Sequence, residues 1–199
     1  MSNSNAQTRV AKRPYKLGKR ADRQAQTRRR IVEAAVDLHG TVGPAQTTVA
    51  QIAERAGVQR HTYYAHFPTE WDLVLACSGL ALERDPLPEA EAFAILPAGE
   101  QRVAGGLKRF YTWFARNEQM AACVLRDAEH HQLTRDIVAM RMAPAFATAN
   151  EVLGEGLGPR ARALLALALD FASWRTLSQS CSPGEAAALM SEAILAVGE

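Results

Sequence analysis

Apolar residues recur along this chain at intervals of three and four, and no stretch sustains the alternation of a half-buried strand. The pattern predicts an all-α protein. A first helix over residues 23–40 sets Ile31, Ala34, Ala35 and Leu38 on one face, and residues 41–47 read as a loop. Thr48 with Gln51 three residues on is a capping box, so the next helix starts at about Val49. Its stripe is Val49, Ile52, Ala53 and Ala56, and Gly57 stands where a left-handed residue must stop it. Val58 plugs the angle to a second short helix that opens from Gln59. A further helix, capped by Thr69 and Asp72, runs to about Glu83. Asp85-Pro86-Leu87-Pro88 and Pro97 then mark a loop or broken helix. Helical stretches follow at 99–117, 119–131, 134–153, 160–180 and 184–197, broken at Asn117, at His131-Gln132, at residues 154–159 and at residues 181–184. They predict a bundle of five or six helices.

Composition adds an asymmetry of charge. The 199 residues are 48% hydrophobic, enough for one core or for a small domain beside a larger one. Net charge is only +2, yet residues 1–30 hold ten Lys or Arg against Asp22, a local +9 that leaves −7 on the remaining 169 residues. A basic end on an acidic body suits a protein of which one end meets a polyanion. The division expected is a basic flexible arm over 1–22, a helix-turn-helix domain over 23–68 and a helical domain over 69–199. Cys77, Cys123 and Cys181 are odd in number and widely spaced, which fits a reduced, cytoplasmic setting. The N-terminal residues lack the apolar centre of a secretory signal. The longest all-apolar run, residues 163–169, is far short of the roughly 20 residues a membrane span needs. No membrane partner is expected.

Two short helices hinged at Ala56-Gly57-Val58 are the arrangement of a helix-turn-helix, whose second helix lies in the major groove of DNA. That helix opens with Gln59, Arg60, His61 and Thr62, followed by Tyr63 and Tyr64, which are side chains suited to phosphates and base edges. Plain solvated surface is the competing reading of Gln59 and Arg60. The runs TRRRIVEAAVDLHGTVG, TTVAQIAERAGV and TYYAHFPTEWDLVLA together resemble the tetracycline-repressor (TetR) family of bacterial transcriptional regulators over about residues 27–76. The resemblance implies a three-helix DNA-binding domain followed by a ligand-binding and dimerisation bundle. It implies a recognition helix over about residues 59–66, phosphate contacts from Thr48, Tyr64 and His66, base readout by Gln59, Arg60, His61 and Thr62, and core positions for Tyr63 and Phe67. Bulky Gln59 and His61 stand where the family commonly has small residues, which leaves the cap of this helix open. Glu70 replaces a common phosphate-binding Lys. Of the basic segment, Arg20, Arg23 and Arg28 are the DNA-contact candidates, with a disordered solubility tail as the alternative for the arm.

The second half carries weaker chemistry. Phe110, Trp113, Phe114, Met142, Phe146 and Trp174 could line a ligand cavity, with Arg126, His130 and Asp170 as polar groups to orient the ligand. Aromatic stripes at helical spacing are also ordinary core. Asp170 facing inward would favour a cation and Arg126 an acid; a neutral or weakly polar hydrophobic ligand is preferred, because a buried charge without a partner is costly. Asp127 and His131 share a helix face but have no third ligand, so no metal site is expected. No catalytic residue and no cofactor are expected, since no nucleophile elbow, phosphate loop or zinc-protease motif is present. The expectation is a repressor, not an enzyme, bound as a homodimer to a palindromic double-stranded DNA operator. Its dimer would form through the last two helices, and a small hydrophobic or aromatic effector would release it. An architectural DNA-binding protein with a solid bundle, and a helical enzyme or metal sensor, are the alternatives.

Overall fold

The computed structural model describes residues 15–198, and every regular element among them is helical. Helix α1, Tyr15–Thr41, begins eight residues earlier than its pattern predicts. Residues 15–22, expected in the arm, are therefore helical; between Tyr15 and Arg23 only Gly18 opposes a helix, at a cost of about 1 kcal/mol. Residues 1–14 of the expected arm lie outside the described residues. After a 3-10 turn, Pro44–Gln46, come α2, Val49–Arg55, α3, Arg60–His66, and α4, Glu70–Arg84. The local signals act as expected. Thr48 and Gln51 form a complete capping box, as do Thr69 and Asp72. Gly57 turns the chain at φ 64°, a left-handed conformation that costs a glycine little. Ile31, Ala35, Ile52, Tyr63, Phe67, Leu73 and Cys77 are buried together and hold α1 to α4 around one small core.

A larger core lies C-terminal to this one. Residues 85–99 contain only the 3-10 turn Ala90–Phe93, and they are fastened by a buried Arg102. Its guanidinium donates to Leu96 O (2.9 Å from Nε), Ala94 O (3.1 Å) and Val152 O (3.3 Å), and pairs with Glu155. Helix α5, Glu100–Ala128, is 29 residues long and spans about 44 Å. It runs through Asn117, where a break was expected: the Asn117 amide donates to Trp113 O (3.0 Å) and to the Asp85 carboxylate (2.7 Å), so tertiary partners satisfy a residue of poor helix propensity. Helix α6, Gln132–Leu153, passes through Pro144. The stretch expected as one helix over 160–180 is two, α7, Pro159–Ala168, and α8, Phe171–Leu177. Asp170 makes the break by capping α8, accepting from Ser173 N at 3.0 Å. Helix α9, Pro183–Ala196, opens with a Ser182–Glu185 capping box and packs along α5 and α7. Phe110, Tyr111, Phe114, Leu153, Leu165, Trp174 and Ile194 fill the centre. No described helix is long and apolar enough to cross a membrane.

Candidate functional site

Helix α3 presents one polar face. Gln59 occupies the N-cap position with extended backbone, but its side chain makes no capping bond. It stands exposed with Arg60 and His61, while Thr62 is half-buried and 3.3 Å from the His61 ring nitrogen. Tyr64 follows Arg60 by four residues and shares its face; it is 53% exposed although it is a large aromatic. Tyr63 points the other way, 3% exposed, and burial followed by the charge of Glu70 pushes its phenol up to about 12. Tyr63 and Phe67 thus fasten α3 to the small core, and the faces of the helix are decided. His66 is half-buried at its C-terminal end.

Basic side chains surround this helix. Thr48 is exposed at the start of α2, its hydroxyl held by Gln51 at 2.7 Å. On α1, Arg20, Arg23 and Arg28 are exposed, and the Arg28 guanidinium lies over the Phe67 ring at 4.7 Å, a cation–π contact that ties it to the end of α3. Arg30, which sequence reasoning passed over, reaches the turn: a Cβ placed on Gly57 would be 3.7 Å from its Nη1. Glu70, in place of a cation, lies 3.7 Å from His131 of the larger body.

The second feature is a cavity of about 480 Å³ between α1, α4, α5 and α6, bounded also by α7 and α8. Of the residues proposed from the sequence, Trp113, Phe114, Met142, Phe146 and Asp170 are on its wall. Phe110 and Trp174 are buried behind it, and the Trp174 Nε1 has no hydrogen-bond partner among the described residues. Arg126 and His130 are exposed and lie away from it, because the C-terminal end of α5 turns them outward. Arg126 instead pairs with the buried Asp127 at 2.7 Å and donates to Val42 O at 2.8 Å. Asp127 accepts from Ala45 N at 2.9 Å, so the end of α5 grips the loop between α1 and α2. Asp127 and His131 are thereby engaged separately, and no group of three metal-binding side chains occurs among the described residues.

Among the cavity residues that escaped the sequence reading are His39, Cys77, Ile137 and Arg141. His39 is 6% exposed, 3.4 Å from the Cys77 sulfur; burial lowers its pKa to about 4 against an opposing effect of Asp127. Burial likewise pushes the Cys77 thiol up to about 12, so it is protonated and unreactive. Cys77, Cys123 and Cys181 are all free. For Arg141 a signal existed. Thr134, Ile137 and Arg141 fall at i, i+3 and i+7, so the Arg sits on the buried stripe of α6, where a charge is out of place.

A helix-turn-helix with an exposed polar second helix, set on a helical body that carries an apolar cavity, defines the class: a helix-turn-helix DNA-binding protein. Residues 31–77 match the family described as bacterial regulatory proteins, tetR family. The match covers the helix-turn-helix and gives the N-terminal part of the chain a DNA-binding domain of the TetR family. No curated protein matches its sequence. Among solved structures it is similar to the transcriptional regulator FadR from Bacillus subtilis in complex with stearoyl-CoA, at 20% identity over 85% of this chain and 97% of that one, with a TM-score of 0.57. It is similar also to a tetR-family regulator from Streptomyces coelicolor, at 18% identity over 87% and 82% with a TM-score of 0.58. A third is a TerR/AcrR-family regulator from Aquifex aeolicus VF5, at 17% identity over 86% and 99% with a TM-score of 0.56. At these identities the likeness shows the shared all-helical fold.

Proposed function

We propose that this protein is a ligand-responsive repressor that binds a palindromic operator as a homodimer and leaves it when a small, largely apolar molecule enters the cavity. The observation that carries the reading is the double use of α4. Leu73 and Cys77 of this helix are buried in the core that holds the recognition helix, while Val74, Ser78, Ala81 and Leu82 line the cavity. A molecule that fits the cavity in only one arrangement of α4 shifts the population of recognition-helix positions by its difference in affinity for the two. In this reading residues 23–68 are the DNA-binding domain and residues 69–199 the effector and dimerisation domain. FadR, solved with stearoyl-CoA, supports an apolar effector for the fold.

On DNA, Gln59, Arg60, His61 and Thr62 read base edges, and Tyr64, His66 and Thr48 contact phosphates, with Arg20, Arg23 and Arg28 adding charge. The dimer forms through the C-terminal helices. Leu167 of α7 and Leu189 of α9, 55% and 49% exposed, are apolar side chains on these helices that a partner would cover. Selection of bound duplexes from a random pool, with size-exclusion chromatography, tests the core of the reading. Inverted half-sites and a dimer are expected; a monomer that binds an asymmetric site at full affinity would overturn it.

A further inference from the structure

We propose that Arg141 determines the specificity of the cavity and that the effector it selects is an amphiphilic anion, an apolar body carrying one carboxylate. The inference rests on the cavity being the effector site. Its wall is overwhelmingly hydrocarbon: Trp113 and Phe114 from α5, with Ile137, Met142 and Phe146 from α6. Among the described residues, four wall side chains can carry charge near neutrality: Asp85, Asp170, His39 and Arg141. Three of them are already accounted for. The Asp85 carboxylate receives Arg116 in a two-point pair at 3.0 and 2.7 Å, and Asn117 at 2.7 Å. Asp170 is the cap of α8. His39 is neutral at pH 7, since burial holds it at about 4.

Arg141 differs from these. Its guanidinium donates to Leu75 O at 3.0 Å and toward Ser78 Oγ at 3.4 Å, both neutral acceptors on α4. Among the described residues no carboxylate comes within ion-pair distance of it. These bonds use two of its five donors and leave the positive charge uncompensated beside an apolar space. The fold makes room for the group: a Cβ on Gly79 would meet Nη2 at 3.2 Å, so the absence of a side chain there lets the guanidinium lie against α4. A half-buried cation facing hydrocarbon is a site short of an anion, and Arg meets a carboxylate with two parallel bonds. A cationic ligand would be repelled, and a neutral one would leave the charge uncompensated. The preference for a neutral effector therefore gives way, because the acid-binding Arg of the cavity is Arg141 and not Arg126.

The test uses two matched probe series: decanoate, decanamide and decylamine, and 4-phenylbutyrate with its amide and amine. Each is titrated into the full-length protein, read by tryptophan fluorescence, to which Trp113 of the wall contributes, and by thermal unfolding. At least one carboxylate is expected to bind about tenfold more tightly than its amide, with the amine weakest. Arg141→Met should lose that tenfold while its affinity for the amide is unchanged, which also shows the cavity intact; Arg141→Lys should recover part. An amide or amine that binds as tightly as its carboxylate, or carboxylate affinity undiminished in Arg141→Met, overturns the anion proposal and leaves the cavity as an effector site. No binding of any probe overturns both.

Discussion

Lowering the pH should unfold this protein earlier than its carboxylates alone dictate, because His39 is buried as a neutral ring. It lies on α1, 6% exposed, with Cys77 at 3.4 Å and the cavity beside it. Desolvation lowers its pKa from 6.5 to about 4, against the smaller opposing pull of Asp127. Between those two values the unfolded chain carries a proton on His39 and the folded chain does not. Each step down in pH within that window therefore favours unfolding. The contribution of His39 is complete above pH 6.5 and gone below about 4, and at 1.36 kcal/mol per unit it amounts to about 3 kcal/mol. That is large for a protein whose total stability is expected to be about 5–15 kcal/mol. Urea denaturation at pH 7.5, 6.0, 5.0 and 4.5 measures it in wild type and in His39→Gln, which keeps a polar side chain but cannot titrate. The carboxylates are common to both proteins and cancel in the difference. Wild type should lose about 2.5 kcal/mol more than the variant between pH 7.5 and 4.5. Parallel curves would refute the reasoning, and would mean that water reaches the ring through the cavity and solvates its charged form.

Other outcomes follow from the same geometry. Tyr64→Phe should weaken binding to all duplexes alike, whereas Arg60→Ala should relax preference at one base pair by about 1–3 kcal/mol, as measured by competition among single-position operator variants. Removing residues 1–14, which carry Arg9, Lys12 and Arg13 and leave the described part of α1 intact, should flatten the slope of log affinity against log salt by about 0.9 for each phosphate no longer neutralised. An unchanged slope would make these residues a solubility tail. Gly43→Ala should destabilise by about 2 kcal/mol or more in urea melts, because φ is 107° and the new Cβ would clash with Asp127 Oδ2.

The DNA-binding half was legible because its signals act over three or four residues. Thr48 with Gln51, Thr69 with Asp72, and Gly57 at a left-handed turn each satisfy or redirect the backbone locally, so their chemistry is written in the order of the residues. The buried Tyr63 and exposed Tyr64 likewise follow from helical periodicity once the turn is placed. In the second half, packing decided. Asn117 breaks nothing because Asp85, far back in the chain, accepts from it, and α5 continues. Asp170 shows the opposite outcome: it caps α8 and splits a helix that periodicity alone would join. Whether a polar residue faces a cavity depends on how four helices cross, and no window of sequence contains that angle. Arg126 and His130 therefore turned out to be at the surface, while Arg141 and His39, from helices about a hundred residues apart, came to share one wall with the aromatics of α5. Short-range hydrogen bonding determined the reader of DNA, and only the tertiary packing of apolar faces decided where the chain could hold a ligand.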